Sequence, residues 1–233
     1  MRARYKIGIG LVILIVISAI LLSFWWQEQK QKMYDMSHKS SYHYEVMLTR
    51  DSTLKNVTLY LPLPVINNTS SVGMDIVEHH FNNKDPSWES PWEYALVDTE
   101  HGLMLSMKNE KPRSIDLSTI VFSNQTIDTM NPLSREMVLM PKYKLMHNVN
   151  ASGTYSQTSE QFDYESQMYA YYETSLNANV SISIYLNARN EWWIGGWQYN
   201  SYWEKMEIKL SGPQDGWTTV NGQLVTGEGT YEI

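Results

Sequence analysis

Val180-Ser-Ile-Ser-Ile-Tyr-Leu186 places an apolar side chain at every second position, with Ser181, Ser183 and Tyr185 between them. Successive side chains of a strand point to opposite faces, so this period of two predicts a β-strand with one buried face. The same alternation recurs on both sides of the segment. Tyr42, Tyr44, Val46 and Leu48 form one set, and Val57, Leu59 and Leu61 another, closed by Pro62 and Pro64. Trp92, Tyr94 and Leu96 precede Leu103, Leu105 and Met107, and the loop Asp98 to Gly102 joins them as a predicted hairpin. Ile115 to Phe122 and Met168 to Thr174 are rich in strand formers, and Met206, Ile208 and Leu210 alternate again. Trp217–Val220 and Gln223–Thr226 flank Asn221-Gly222, the dipeptide favoured in a two-residue type I′ turn, which predicts a second hairpin. Segments 65–91 and 123–160 read as loop-rich. No long amphipathic helical pattern follows residue 41. The predicted class for residues 42–233 is therefore an all-β, antiparallel, β-sandwich-like domain.

The amino terminus reads differently. Met1 to Lys6 carry three cationic side chains, Arg2, Arg4 and Lys6, and no acid. Ile7 to Trp26 then run for twenty residues without a formal charge. As a helix, such a run spans about 30 Å, the thickness of a bilayer's hydrocarbon core. Trp25 and Trp26 fall where an interfacial aromatic belt belongs. A cleaved secretory signal has a shorter apolar region and small residues at its end, so an uncleaved signal anchor is the expectation. The cationic flank places residues 1–6 in the cytoplasm, 7–26 across the membrane and the β domain outside the cell membrane. Residues 27–41 are polar and read as a stalk.

The whole chain has 18 Lys and Arg against 25 Asp and Glu, and no Cys. The absence of Cys excludes disulfides, thiolate metal sites and a thiol nucleophile. The acidic balance argues against a nucleic-acid partner. Six Asn-x-Ser/Thr sequons, at Asn56, Asn67, Asn68, Asn124, Asn150 and Asn179, fit an external, glycosylated surface. Asn67 and Asn68 overlap, so one of the pair at most is expected to carry a glycan.

Sites for chemistry are sparse. Asp75, Glu78, His79 and His80 could gather on a helix as metal ligands, but no second ligand cluster accompanies them. Asp98 with Glu100, and Asp163 with Glu165, supply too few oxygens for calcium. No nucleophile elbow, zinc-protease, phosphate-loop or dinucleotide motif occurs, so neither a metal nor a cofactor is expected and no catalytic set is assigned. The densest feature is Asn190 to Trp203, where six aromatic residues fall within twelve positions around Gly195-Gly196. Trp192, Trp193, Trp197 and Tyr199 are candidate ligand-binding residues, because exposed rings beside Asn, Gln and Glu suit the faces and hydroxyls of a sugar. The alternative use of these rings is core packing.

Asn56-Val-Thr-Leu-Tyr-Leu-Pro-Leu-Pro64, Tyr94-Ala-Leu-Val-Asp-Thr-Glu-His-Gly102, Asn190 to Trp197, Gly212-Pro-Gln-Asp-Gly-Trp217 and Gly227-Glu-Gly229 together resemble uncharacterised single-pass, membrane-anchored surface proteins of methanogenic archaea. The resemblance implies an exported, Cys-free, glycosylated β domain and no assigned activity. The leading expectation is a non-enzymatic envelope protein. Its partners would be the lipid bilayer through residues 7–26 and, outside it, envelope proteins or glycans. A carbohydrate-binding module, a pilin-like subunit and a hydrolase are the competing readings.

Overall fold

The computed structural model describes residues 2–79, 92–112 and 115–231, with side chains from Ile13 onward. The elements are α1 (Arg2–Ser37), β1 (Lys39–Arg50), β2 (Lys55–Leu61), β3 (Leu63–Val65), α2 (Ser71–Glu78), β4 (Glu93–Thr99), β5 (Gly102–Asn109), β6 (Ile115–Ser123), β7 (Val138–Met140), β8 (Tyr143–His147), β9 (Glu160–Glu173), β10 (Asn179–Trp193), β11 (Trp197–Ser211) and β12 (Gln214–Gly229), with a 3-10 turn at Pro132–Ser134. All strand pairs are antiparallel.

The sandwich expectation gives way to one curled sheet. Its strands run in the order β4-β5-β2-β9-β12-β11-β10-β1-β6, and β8 pairs with the first half of β9 on the edge that β2 occupies further along. The connection from β1 to β2 shows why it must curl. Five inter-strand steps separate these strands in the sheet, about 24 Å if the sheet were flat. Residues 51–54 join them with a reach of only about 17 Å. The sheet therefore bends until β1 and β2 approach across its open side, forming a half-barrel. Leu54, in that connection, is fully buried. Strands of 14 to 16 residues, β9 to β12, supply the length over which the natural right-handed twist accumulates into this curl.

The concave face holds the core. Tyr44, Val46 and Leu48 of β1, Ile182, Ile184 and Leu186 of β10, and Met206 and Ile208 of β11 line it. Two pieces close the open side. The short sheet β3–β7 is one. The other is α2, which packs against β3, β4 and β6 and so bridges the two edge strands of the large sheet. Sequence periodicity leaves α2 inside a loop-rich stretch, because eight residues are too few to establish a helical period. Its start is a Ser cap: Ser70 Oγ accepts a hydrogen bond from the Gly73 amide at 2.9 Å.

Two turn expectations are corrected. The loop joining β4 and β5 is two residues, Glu100-His101, shorter than the stretch Asp98 to Gly102. Asn221-Gly222 is no turn: β12 runs straight through it, with Asn221 opposite Glu165 and Gly222 opposite Tyr164. A Cβ on Gly222 would lie 2.4 Å from the Tyr164 ring, so the glycine makes room for that ring to lie across the strand. Residues 27–37, the first part of the expected stalk, continue α1, and β1 opens at Lys39. Among the described residues no helix is long and apolar enough to cross a membrane. The side chains of 7–12, the first part of the expected span, lie outside the described ones.

Candidate functional site

Four polar side chains on the concave face hold the segment from Ile127 to Lys142 against the sheet. Asn190 of β10 accepts from the Ile127 amide at 3.0 Å and donates to the Ile127 carbonyl at 2.8 Å. Tyr42 of β1 donates to Glu136 Oε2 at 2.5 Å, Tyr202 of β11 to the Met137 carbonyl at 2.5 Å, and Ser166 of β9 to the Pro141 carbonyl at 2.6 Å. Strand alternation places these residues inward, and Asn190, Tyr202 and Ser166 meet backbone groups that would otherwise be buried without partners, while Tyr42 meets a carboxylate.

Glu204 of β11 is the centre of this set and is fully buried. Its Oε1 accepts from the Leu139 amide at 2.7 Å. Its Oε2 accepts from Tyr164 Oη at 2.6 Å and from Lys142 Nζ, which also donates to the Leu139 carbonyl. The ammonium lies 4.2 Å from the centre of the Tyr164 ring. Burial pulls the Lys142 ammonium below its usual range, against the attraction of Glu204. Burial, reinforced by the Glu204 charge, holds the Tyr164 phenol well above its usual value. Every donor and acceptor here has a protein partner and the group is sealed from solvent, so it acts as a clamp on β7 and β8.

The aromatic segment divides by position. Trp192 is buried against Tyr34 of α1, with ring centres 5.6 Å apart, and offers no face to a ligand. Trp193, Trp197 and Tyr199 are 42%, 61% and 36% exposed. Trp193 and Trp197 are cross-strand partners at the end of the β10–β11 hairpin, and Gly195, with φ of 66°, forms its turn. Two cations lie over the rings: Lys39 Nζ stands 5.5 Å from Trp197 and the Arg189 guanidinium 4.3 Å from Tyr199. Glu191 sits between them, 2.6 Å from Lys39 and 3.6 Å from Arg189. The hairpin end is fastened to the helix, since the Trp193 amide donates to Ser37 Oγ at 2.8 Å.

A second aromatic cluster escaped the sequence reading. Tyr60, Tyr169 and Trp217 come from β2, β9 and β12, and His101 joins them from the β4–β5 turn. Tyr60 and Tyr169 stack on each other at 5.0 Å, and Trp217 meets Tyr169 and His101 edge to face. The rings close on one another and share no common plane. Neighbours in this cluster lie about forty or more positions apart in sequence, so only the folded sheet brings them together.

The acidic and histidine candidates do not converge. Asp75 accepts from Thr119 Oγ1 at 2.5 Å and pairs with His79 at 2.9 Å, which ties α2 to the edge strand β6. His80 lies outside the described residues. Glu100 is 3.9 Å from His101. Asp163 accepts from Asn148 at 3.0 Å, and Glu165 pairs with Lys144 at 2.8 Å. Among the described residues no three such groups are placed to hold a metal ion. The depressions on the surface are shallow and open. One of about 510 Å³ is lined by Asn56, Thr58, Glu93, Lys108 and Tyr171, with Glu93 and Lys108 as cross-strand partners.

All six sequon asparagines are exposed. Asn56 and Asn179 already use their amide nitrogens, on Glu173 at 2.9 Å and Asp51 at 2.8 Å. Those of Asn67, Asn68, Asn124 and Asn150 make no hydrogen bond among the described residues. No protein-family model, curated protein or solved structure matches the chain.

Proposed function

We propose that this chain is a membrane-anchored protein of the cell envelope, which displays a curled β domain outside the membrane in a structural or interaction role. One observation carries the reading. From Ile13 to Trp26, α1 is apolar around its whole circumference, and its large side chains are about half exposed or more, Ile20 at 49% and Phe24 at 70% among them. A helix apolar on all faces, left uncovered over Ile13 to Trp26 among the described residues, needs an apolar surrounding. Its cationic start at Arg2, Arg4 and Lys6 supports an inward amino terminus. The resemblance to surface proteins of methanogens supports the same reading. Glycans belong to it as well, first at Asn124, Asn150 and one of Asn67 and Asn68, whose attachment nitrogens make no hydrogen bond among the described residues.

A charge near the middle of the proposed span tests the anchor. Ile17→Lys in the full chain is expected to weaken insertion by about 3 kcal/mol, the cost of a cation at a helix centre in the bilayer. It should shift the protein from alkali-washed membranes toward the soluble fraction. A variant that sediments with washed membranes as fully as the parent would count against the anchor.

A further inference from the structure

We infer that the β10–β11 hairpin is a membrane-interface foot, with Trp193, Ile194 and Trp197 seated in the headgroup layer of the bilayer that α1 enters. The inference rests on the anchor reading and adds a second, separate contact to it. Chain direction comes first. β1 leads away from the end of α1, and β10 returns antiparallel beside it until Glu191 faces Lys39, the first residue of β1. Residues 192–197 therefore overhang the start of β1 on the side from which the helix arrives. The Trp193–Ser37 bond and the Tyr34–Trp192 contact fix the overhang to the last turn of α1.

Distance is the second argument. Residues 27–37 span about 16 Å of helix beyond Trp26. The turn Ile194–Gly196 reaches back about 6 Å toward the membrane. That leaves about 10 Å to the end of the apolar run, against a headgroup layer about 5–8 Å thick on each side. A helix tilt of about 20° shortens the 16 Å rise by only about 1 Å, but directed toward the hairpin, about 10 Å from the helix axis, it lowers the tip by about 3 Å more.

Chemistry is the third. Indole rings with adjoining cations suit the boundary between acyl chains and phosphates. Trp193 and Trp197 are exposed, and Lys39 and Arg189 stand over Trp197 and Tyr199, their charges balanced by Glu191 between them and by Glu228, 3.5 Å from Tyr199 Oη. The opposite end of the sheet contrasts with this. Its described turns, 51–54, 174–178 and 211–213, expose one large apolar side chain, Leu176. Asn124 lies at the hairpin's end of the sheet, where a glycan would compete with lipid for the surface, so the test uses chain made without glycans.

The absence of Cys makes single-site labelling direct. Gly196→Cys, Leu176→Cys and Ile17→Cys each carry one fluorophore on the full chain, reconstituted in phosphatidylcholine vesicles with and without phosphatidylglycerol. The expected pattern is quenching of the residue 17 label by acyl-chain quencher lipid, quenching of the 196 label by headgroup quencher lipid, and neither at 176. Replacing Trp193 and Trp197 by Ser should remove the quenching at 196 and leave that at 17. If 17 is quenched while 196 behaves like 176, the foot is wrong and the anchor stands. If 17 is not quenched by acyl-chain quencher, the anchor reading fails and the foot with it.

Discussion

Glu204 is a fully buried carboxylate with three donors, and it shows what single residues contribute here. Removing one member of a buried ion pair strands the other, so Glu204→Ala should destabilise the domain by about 3–5 kcal/mol in denaturant titration. An unchanged midpoint would mean that Lys142 finds another acceptor. The buried tyrosines set the alkaline limit. Burial raises the Tyr94 and Tyr172 phenols to about 12, and those of Tyr44, Tyr164 and Tyr202 also rise, while phenols in an unfolded chain ionise near 10. Above about pH 10 the unfolded chain binds fewer protons than the folded one, so stability present below that pH is lost progressively as it rises. Phenolate absorbance from the buried set should appear only together with loss of the sheet's circular dichroism. Full titration near pH 10 with the sheet intact would contradict the burial. Alternation already set Tyr44 and Tyr94 among apolar positions, but the Glu204 cluster was not legible in the sequence: Lys142, Tyr164 and Glu204 carry no shared motif, and only the folded chain unites them.

At the scale of elements, alternation was a sound guide to the strands and a poor guide to their ends. The pattern at Val180–Leu186 identified the first half of β10, but the strand extends to Trp193, because its outward face tolerates Asn, Arg and Trp alike. Asn221-Gly222 misled for a physical reason: the pair is favoured in a tight turn, and here the glycine instead clears space for the Tyr164 ring. Gly222→Ala should therefore cost about 1–3 kcal/mol through overpacking and loosen the Tyr164–Glu204 bond. Thermal melting of the variant checks this, and a neutral result would show that the ring can move aside. The helix α2 was missed because Val72, Gly73 and Ile76 are too few apolar positions to register a period, although they bridge both edges of the large sheet.

At the scale of the molecule, the predominance of β structure and the helical start were legible, and the single curled sheet was not. Curl depends on which strands pair, and the evidence for it is the short link 51–54 between strands five places apart in the sheet. The aromatic segment was noticed in the sequence, yet its meaning turns on placement: Trp192 fastens the helix, while Trp193 and Trp197 face outward beside it. The central claim is an anchor within the membrane and a domain outside it. The most direct measurement is labelling of Leu176→Cys, 83% exposed at the turn farthest along the sheet from the helix, with a membrane-impermeant maleimide on intact cells carrying the full chain. The account predicts complete labelling before permeabilisation, on protein that remains in alkali-washed membranes. Labelling only after the cells are opened, or protein released by the wash, would contradict it.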